Sequence, residues 1–252
     1  MIQMIVTDLD ETLLRSDKTI SDYTISVLKK CQAKGIKIVF ATARSTQAAE
    51  KMLAQFTPDI FVGYGGALVL AGETVIHRFD IPADSSNRLI QDCLAAPEVI
   101  SVLAINEAVA LTNDLDADSG LSHYQYADFS CDCGHRYLKI SVYATSQAAV
   151  ERIAARYPML DMLRYSGEDL YRFANRDAVK WNAVKAIAGH YGLSTDRIIA
   201  FGDDVNDLEM LSNCGTGIAM ENAIEEVKAV AGHICGTNND DGVANWLEEH
   251  IL

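Results

Sequence analysis

The segment Ile5-Val6-Thr7-Asp8-Leu9-Asp10-Glu11-Thr12-Leu13-Leu14 constrains this fold more than any other stretch of the chain. Five of the six residues before Thr7 are apolar (Met1, Ile2, Met4, Ile5, Val6), the pattern of a short strand buried in a parallel sheet. Two carboxylates follow at once, two positions apart, where that strand is expected to end. Open α/β sheets hold their ligands at the carboxyl ends of strands. Residues two apart on extended backbone point the same way, so Asp8 and Asp10 are expected to converge on one point. Two like charges that close must share a cation or a proton, or serve different roles.

The flanking sequence repeats the same grammar. Residues 21–34 predict a helix with Ser21 as N-cap and Gly35 just past its end. Residues 36–41 predict a second buried strand, and Ser45 caps a helix running to about Phe56. A third strand is expected over 59–63, then a hairpin of 67–70 and 74–77 around Ala71-Gly72-Glu73. Near the other end come a helix over 178–191, a strand over 197–201 and a helix over 205–212. A last short strand over 217–220 and helices over 223–231 and 242–250 complete the pattern. This alternation predicts an α/β fold, a doubly wound parallel sheet with helices on both faces.

The middle reads differently. Strand-like runs at 100–105, 108–112, 137–143 and 170–174, with helices at 85–96 and 146–157, predict an inserted α+β domain over 83–177. The core domain is then 1–82 with 178–252; the alternative is one continuous large domain.

Of the 252 residues, 35 are acidic and 21 basic, for a net charge of −14. That argues against nonspecific binding to nucleic acid or to an anionic membrane, which needs a basic surface. It permits a small anionic substrate, because a metal ion and a few placed cations reverse a local field. No apolar run has transmembrane length and no signal peptide is read at the N-terminus. Six scattered cysteines in a chain of this size predict reduced thiols and a cytoplasmic location.

Four sites near expected strand ends supply complementary chemistry: Asp8 and Asp10, Thr42-Ala43-Arg44, Lys180, and Gly202-Asp203-Asp204-Val205-Asn206-Asp207. Mg²⁺ favours a few carboxylates plus water and a substrate phosphate, which suits Asp8 and Asp203 with a backbone carbonyl nearby. Phosphoryl transfer mostly needs positioning and charge neutralisation, which Mg²⁺, Lys180 and the Thr42 hydroxyl can provide. An Asp carboxylate can accept a phosphoryl group, and a second acid two residues on can protonate the leaving alkoxide and then activate water. Each residue alone has a blander reading, as a helix cap, a turn former or a solvated charge.

Together, Asp8-Leu9-Asp10-Glu11-Thr12-Leu13-Leu14, Thr42-Ala43-Arg44-Ser45, Lys180 and Gly202-Asp203-Asp204-Val205-Asn206-Asp207 resemble the four motifs of the haloacid dehalogenase-like hydrolases. The long insert before Lys180 resembles the Cof-type subfamily with its larger α/β cap. Ala219-Met220-Glu221-Asn222-Ala223 and Thr237-Asn238-Asn239-Asp240-Asp241-Gly242 are similar to that subfamily's ending. The resemblance implies a Rossmannoid core and a Mg²⁺-dependent phosphatase working through an aspartyl-phosphate. It implies Asp8 as nucleophile and metal ligand, and Asp10 as general acid/base with its backbone carbonyl on the metal. It further implies Asp203 as metal ligand and Thr42 and Lys180 as holders of the phosphoryl group. Thr12, Ala43, Arg44, Asn206 and Asp207 fall among the substrate-binding positions, with Asp207 also placed to orient Lys180.

Four residues depart from the pattern. Glu11 and Ala43 stand where Gly is common, Gly65-Gly66 replaces Asn-Gly, and Trp181 follows Lys180 in place of Gly. A carboxylate at Glu11 must point away from phosphate or meet a cation.

In the cap, Arg136, Lys139, Arg164, Tyr171, Arg172 and Arg176 are candidates for contacting the leaving group, unranked by sequence. Cys131-Asp132-Cys133-Gly134-His135 with His123 invites a zinc reading, but the spacing is not that of a structural site, and thiols are the better expectation. Asp114-Leu115-Asp116-Ala117-Asp118 lacks the Gly and distal Glu of a calcium loop and reads as solvated.

The leading expectation is hydrolysis of a small phosphorylated metabolite such as a sugar phosphate, by a monomer or weak homo-oligomer. A phosphomutase shares every motif and stays open. A phospho-Asp signalling module is disfavoured by Asp10 and by the insert.

Overall fold

The computed structural model describes residues 2–115, 124–131, 134–164 and 169–252. The candidates His123, Asp132, Cys133, Asp116 and Asp118 lie outside the described residues. The chain divides into two compact units, Met1–Arg78 with Val179–Leu252, and Phe79–Ala178.

The first unit is built on an eight-stranded sheet. In chain order its strands are β1 (Met4–Thr7), β2 (Lys37–Ala41), β3 (Ile60–Gly63), β4 (Leu68–Ala71) and β5 (Thr74–Arg78). After the second unit come β12 (Ile198–Gly202), β13 (Thr216–Met220) and β14 (His233–Cys235). Their order in space is β14-β13-β12-β1-β2-β3-β4-β5. All pairs from β14 to β3 are parallel, and the β4–β5 hairpin closes the edge antiparallel. Met4, Ile5 and Val6 of β1 have no exposed surface, as a strand covered on both faces requires.

Five helices follow the expected alternation: α1 (Asp22–Ala33), α2 (Thr46–Gln55), α5 (Lys180–Tyr191), α6 (Leu208–Asn213) and α8 (Gly242–His250), with the short α7 (Glu225–Val230) between the last two. Ser21 caps α1 by accepting from Thr24 N, and Ser45 caps α2 by accepting from Ala48 N. The sheet and helices enclose one apolar cluster that includes Leu28, Ile38, Phe40, Ile60, Ile187, Phe201 and Leu247.

The second unit holds a six-stranded sheet and two helices, α3 (Ala83–Leu94) and α4 (Gln147–Ala154). Its strands are β6 (Val99–Ile105), β7 (Ala110–Thr112), β8 (Gln125–Tyr126), β9 (Lys139–Ala144), β10 (Leu160–Arg164) and β11 (Leu170–Asn175), in the order β10-β11-β9-β6-β7-β8. A separate cluster including Leu89, Val102, Ile140, Val142, Ile153, Tyr171 and Phe173 joins α3 and α4 to one face of that sheet.

Three strands go beyond the sequence reading. The strand over 217–220 is followed by β14, only three residues long with two of them exposed, so no apolar run announces it. The two-residue β8 is below any periodic signal. In β10, Leu160-Asp161-Met162-Leu163-Arg164 is too mixed to stand out, and only its antiparallel pairing with β11 defines it. The helix expected over 205–212 is split: Val205–Asp207 forms a 3₁₀ turn that leads into α6. No described helix is long and apolar enough to cross a membrane. Cys31, Cys93, Cys214 and Cys235 are free thiols.

Candidate active site

The central strand β1 lies between β2 and β12, so strands that follow it in sequence run away on both sides. That is the topological switch point where doubly wound sheets bind ligands, at the carboxyl ends of the strands. Asp8 is the first residue past β1, Thr42 the first past β2 and Asp203 the first past β12. The parallel registers Thr7↔Phe201 and Thr7↔Phe40 bring these three exits to one level of the sheet.

Lys180, the first residue of α5, reaches into this edge. Its Nζ donates to Asp8 Oδ1 at 2.6 Å and to Asp207 Oδ1 at 2.7 Å, and its side chain is 3% exposed. Asp207 is fixed in turn, because its Oδ2 accepts from the backbone N–H of Asp203 and of Asp204. Thr12 Oγ1 donates to Asp203 Oδ1 at 2.5 Å. One oxygen each of Asp8, Asp203 and Asp207 lies within 4.8 Å of the others.

This pocket is short of positive charge. Burial pushes the Asp8 carboxyl up to about 8, against the pull of Lys180 and with Asp207 and Asp203 adding to the rise. Burial likewise pushes Asp203 up to about 6, although the Thr12 hydroxyl pulls the other way. Burial acts to lower Lys180, but Asp8 and Asp207 outweigh it and hold the ammonium above its ordinary value. Among the described residues no hydrogen bond is made to Asp8 Oδ2 or Asp203 Oδ2. Hard carboxylate oxygens left without donors in a buried, cation-poor cluster fit a hard divalent ion.

Asp10 is held apart from that cluster. Arg44 grips its carboxylate with two hydrogen bonds, Nε to Oδ2 at 2.7 Å and Nη2 to Oδ1 at 2.6 Å, and Lys18 adds an ion pair at 3.3 Å. Burial alone would raise Asp10, but Arg44 and Lys18 win and hold it below the usual carboxylate range. Glu11 takes a left-handed backbone conformation within the motif itself. Its φ is 56°, the left-handed region that favours glycine. Lys18 Nζ donates to its Oε1, Asn238 Nδ2 to its Oε2 and Asn222 Nδ2 to its carbonyl, which together hold the strained residue and supply the cation it needs. The Asn222 and Asn238 segments noted in the sequence thus clamp this loop.

The remaining candidates divide. Thr42 is buried, and its hydroxyl accepts from Arg44 N while its carbonyl accepts from Gly65 N. Ala43 and Asn206 are exposed, and among the described residues the Asn206 side chain has no hydrogen-bond partner. Trp181 packs against the core cluster of its own unit, with Lys185 Nζ 5.6 Å from its ring.

Two glycines that the sequence reading named without a steric reason are steric necessities. Gly66 has φ +113°, and a Cβ there would meet Val179 C at 2.4 Å and Lys180 N at 2.8 Å. Only glycine lets this turn approach the start of α5 where Lys180 emerges. A Cβ on Gly202 would meet the Asp207 side chain at 2.5 Å, so glycine there makes the room Asp207 occupies. The signal was present as Gly65-Gly66 and Gly202 in the sequence, but its reason is spatial.

Comparisons with known proteins agree on this architecture. The family model for haloacid dehalogenase-like hydrolases matches residues 5–247. The 5-amino-6-(5-phospho-D-ribitylamino)uracil phosphatase of Bacillus subtilis is 28% identical, covering 98% of this chain and 97% of its own length. The HMP-PP phosphatase of an Enterobacter species is 26% identical over 98% of this chain and 95% of its own. Among solved structures, a Thermotoga maritima protein superimposes with a TM-score of 0.89 at 23% identity, covering 100% of this chain and 98% of that one. A sugar phosphatase of HAD subclass IIB gives 0.79 at 21% identity, with 98% of each chain covered. With the family model spanning nearly the whole sequence, this chain belongs to the haloacid dehalogenase-like hydrolases.

Proposed function

We propose that the protein is a Mg²⁺-dependent phosphatase that hydrolyses a small phosphorylated metabolite through an aspartyl-phosphate on Asp8. The observation that carries this reading is the buried Lys180 ammonium bound to Asp8 within a cluster of three carboxylates at the switch point. The names of the relatives, both phosphatases of small phosphorylated compounds, support it.

Asp8 and Asp203 would hold the metal ion with the oxygens that no protein donor takes. Asp207 is spent on Lys180 and two backbone N–H groups, which leaves it to fix Lys180. Asp10 has its carboxylate on Arg44 and Lys18, so only its backbone carbonyl is left for the ion. Bound Mg²⁺ would neutralise phosphate oxygens and return Asp8 to its ionised, nucleophilic form.

In this reading an Asp8 oxygen attacks phosphorus, the ester P–O bond breaks, and the departing alkoxide takes a proton from Asp10. Water then gives its proton to Asp10 and attacks the same phosphorus, and the bond to Asp8 breaks to release inorganic phosphate. The ion-paired carboxylate of Asp10 is already set for this second step; the first requires Arg44 and Lys18 to release it. Lys180, with the Thr42 hydroxyl, would hold the phosphoryl oxygens while charge shifts.

A panel of phosphate monoesters incubated with the full chain and Mg²⁺ tests the reading. Inorganic phosphate should appear for at least one class of ester and cease with chelator. An isomerised ester without free phosphate would identify a mutase instead, and neither product across the panel would sink the proposal.

A further inference from the structure

The proposed metal ligands sit on two loops of the first unit, Asp8 and the Asp10 carbonyl past β1 and Asp203 past β12. A third turn, Glu221-Asn222-Ala223-Ile224 past β13, takes hold of both. Its Asn222 Nδ2 donates to the Glu11 carbonyl at 2.7 Å, and its Ile224 N–H donates to the Asp203 carbonyl at 3.1 Å. The turn is therefore a bridge between the backbones of the two metal-carrying loops.

The grip on Glu11 has a consequence for Asp10. The peptide that carries the Asp10 carbonyl is planar, so its tilt is set by the two dihedrals that flank it. These are Asp10 ψ at 129° and Glu11 φ at 56°. The second value is one that a residue with a Cβ rarely adopts, and it persists only where neighbours hold it. Thr12, the next residue, donates to Asp203 Oδ1, so the same bend also places a hydroxyl on the other loop.

Asn222 is itself fixed. Its Oδ1 accepts from Asn238 N at 3.0 Å, which sets the amide with Nδ2 towards Glu11. The buried Asn238 side chain donates in turn to Leu14 O at 2.9 Å and to Glu11 Oε2 at 3.2 Å. Asn239, the next residue, makes two hydrogen bonds to the same β1 loop but farther along, at Ser16 N and Ser16 Oγ, both 3.0 Å.

We infer that Asn222 is a positioning residue for the metal site: by holding Glu11 left-handed, from a turn that also holds Asp203, it fixes the two metal-carrying loops relative to each other. This rests on reading the site as a Mg²⁺ phosphatase. Mg²⁺ tolerates little departure from octahedral geometry, so its affinity depends on how firmly such loops are held.

Manganese titration of the full chain, with free Mn²⁺ read by electron paramagnetic resonance, tests the role without turnover. Asn222→Ala and Asn222→Asp should each raise the Mn²⁺ Kd by roughly tenfold, the scale of losing a group that orients a ligand. Asn222→Asp is the sharper variant. It keeps the acceptor for Asn238 N and loses the donor to Glu11, while its added negative charge alone would tighten cation binding. Asn239→Ala removes as many hydrogen bonds from the loop as Asn222→Ala does, and should leave Kd unchanged. Asn222 and Asn239 are both exposed, so the variants should fold, and melting in chelator checks that they do.

Unchanged affinity in both Asn222 variants, tighter binding in Asn222→Asp, or an equal loss in Asn239→Ala would overturn the role. Wild-type protein that binds no Mn²⁺ would overturn the metal site and this role with it. If the ester panel yields no product, the phosphatase reading fails while Mn²⁺ binding still decides what Asn222 does.

Discussion

The two units carry opposite electrostatic imbalances. At the carboxyl edge of the first sheet, three carboxylates cluster around one ammonium, which binds the two buried ones, and Asp8 is pushed up to about 8. On the second sheet, Arg172 approaches only the exposed Asp161, at 3.4 Å, and burial, with Arg172 adding, pushes Lys139 down to about 8. Each group moves towards its neutral form because burial penalises charge that is not matched nearby. The difference teaches that the first surface is short of a cation, while the second crowds like charges together. Strongly perturbed groups of the first kind, beside a specific charge partner, cluster at functional sites.

Removing the nucleophile should give the largest effect on the carboxylate side. Asp8→Asn should lower kcat for phosphate release by about 10⁴-fold or more, the scale seen when a covalent catalyst is deleted. Retained turnover would show that the first imbalance does not serve nucleophilic attack.

Lys180→Met breaks the same side differently, by leaving the carboxylates with no protein cation. Urea unfolding without metal should show a loss of about 3 kcal/mol, as expected for an orphaned buried charge. Added Mg²⁺ should restore part of it, since an ion bound only by the folded state stabilises that state. Equal stability of variant and wild type in chelator would argue that Lys180 does not balance the cluster.

Gly66→Ala tests how the cation is delivered. A Cβ 2.4 Å from Val179 C and a φ of +113° should cost about 1–3 kcal/mol and displace the start of α5. Thermal unfolding and kcat should fall together, whereas Gly72→Ala, at a glycine with nothing within 4 Å of its Cβ, should leave kcat alone.

The smallest effect belongs to the cap. Lys139 has a folded value of about 8, below its unfolded value of 10.5. Between those two values the unfolded chain binds more protons than the folded one, so this residue's contribution to stability rises with pH across that window. Comparing melting temperatures of wild type and Lys139→Met from pH 7.5 to about 10 isolates the contribution. The wild type should gain on the variant as pH rises; a constant difference would mean that Lys139 is not desolvated.

Much of this was legible in the sequence for physical reasons that can be named. Strands such as β1, β2 and β12 are continuous apolar runs because helices cover both their faces, and burial on that scale leaves an unmistakable pattern. The alternation with capped helices then implied the parallel order, and the family resemblance identified the hydrolase scaffold. Edge strands were harder. β8 and β14 bury little and are specified by a neighbour rather than by their own residues.

At the site, residue types were readable but partners were not. Nothing in Thr42-Ala43-Arg44 says that Arg44 closes on Asp10, because that pairing depends on two loops meeting above the sheet. Nothing local says that Thr12 donates to Asp203, 191 positions away. The sequence requires Glu11 to point away from phosphate or meet a cation, but that Lys18 is the cation and that the backbone is left-handed there depend on the folded loop. In the cap the six candidates were equivalent by type, and only the folded sheet puts Tyr171 in its core.

The central claim is that the carboxylate starved of positive charge is the one that takes the phosphoryl group. Rapid acid quench of the full chain during turnover with Mg²⁺ and a ³²P-labelled ester, followed by peptide mapping, tests it most directly. Label should accumulate on the peptide that contains Asp8 and be absent from Asp8→Asn. Label on Asp8→Asn, or turnover with no labelled enzyme under conditions where chemistry precedes hydrolysis, would contradict the account.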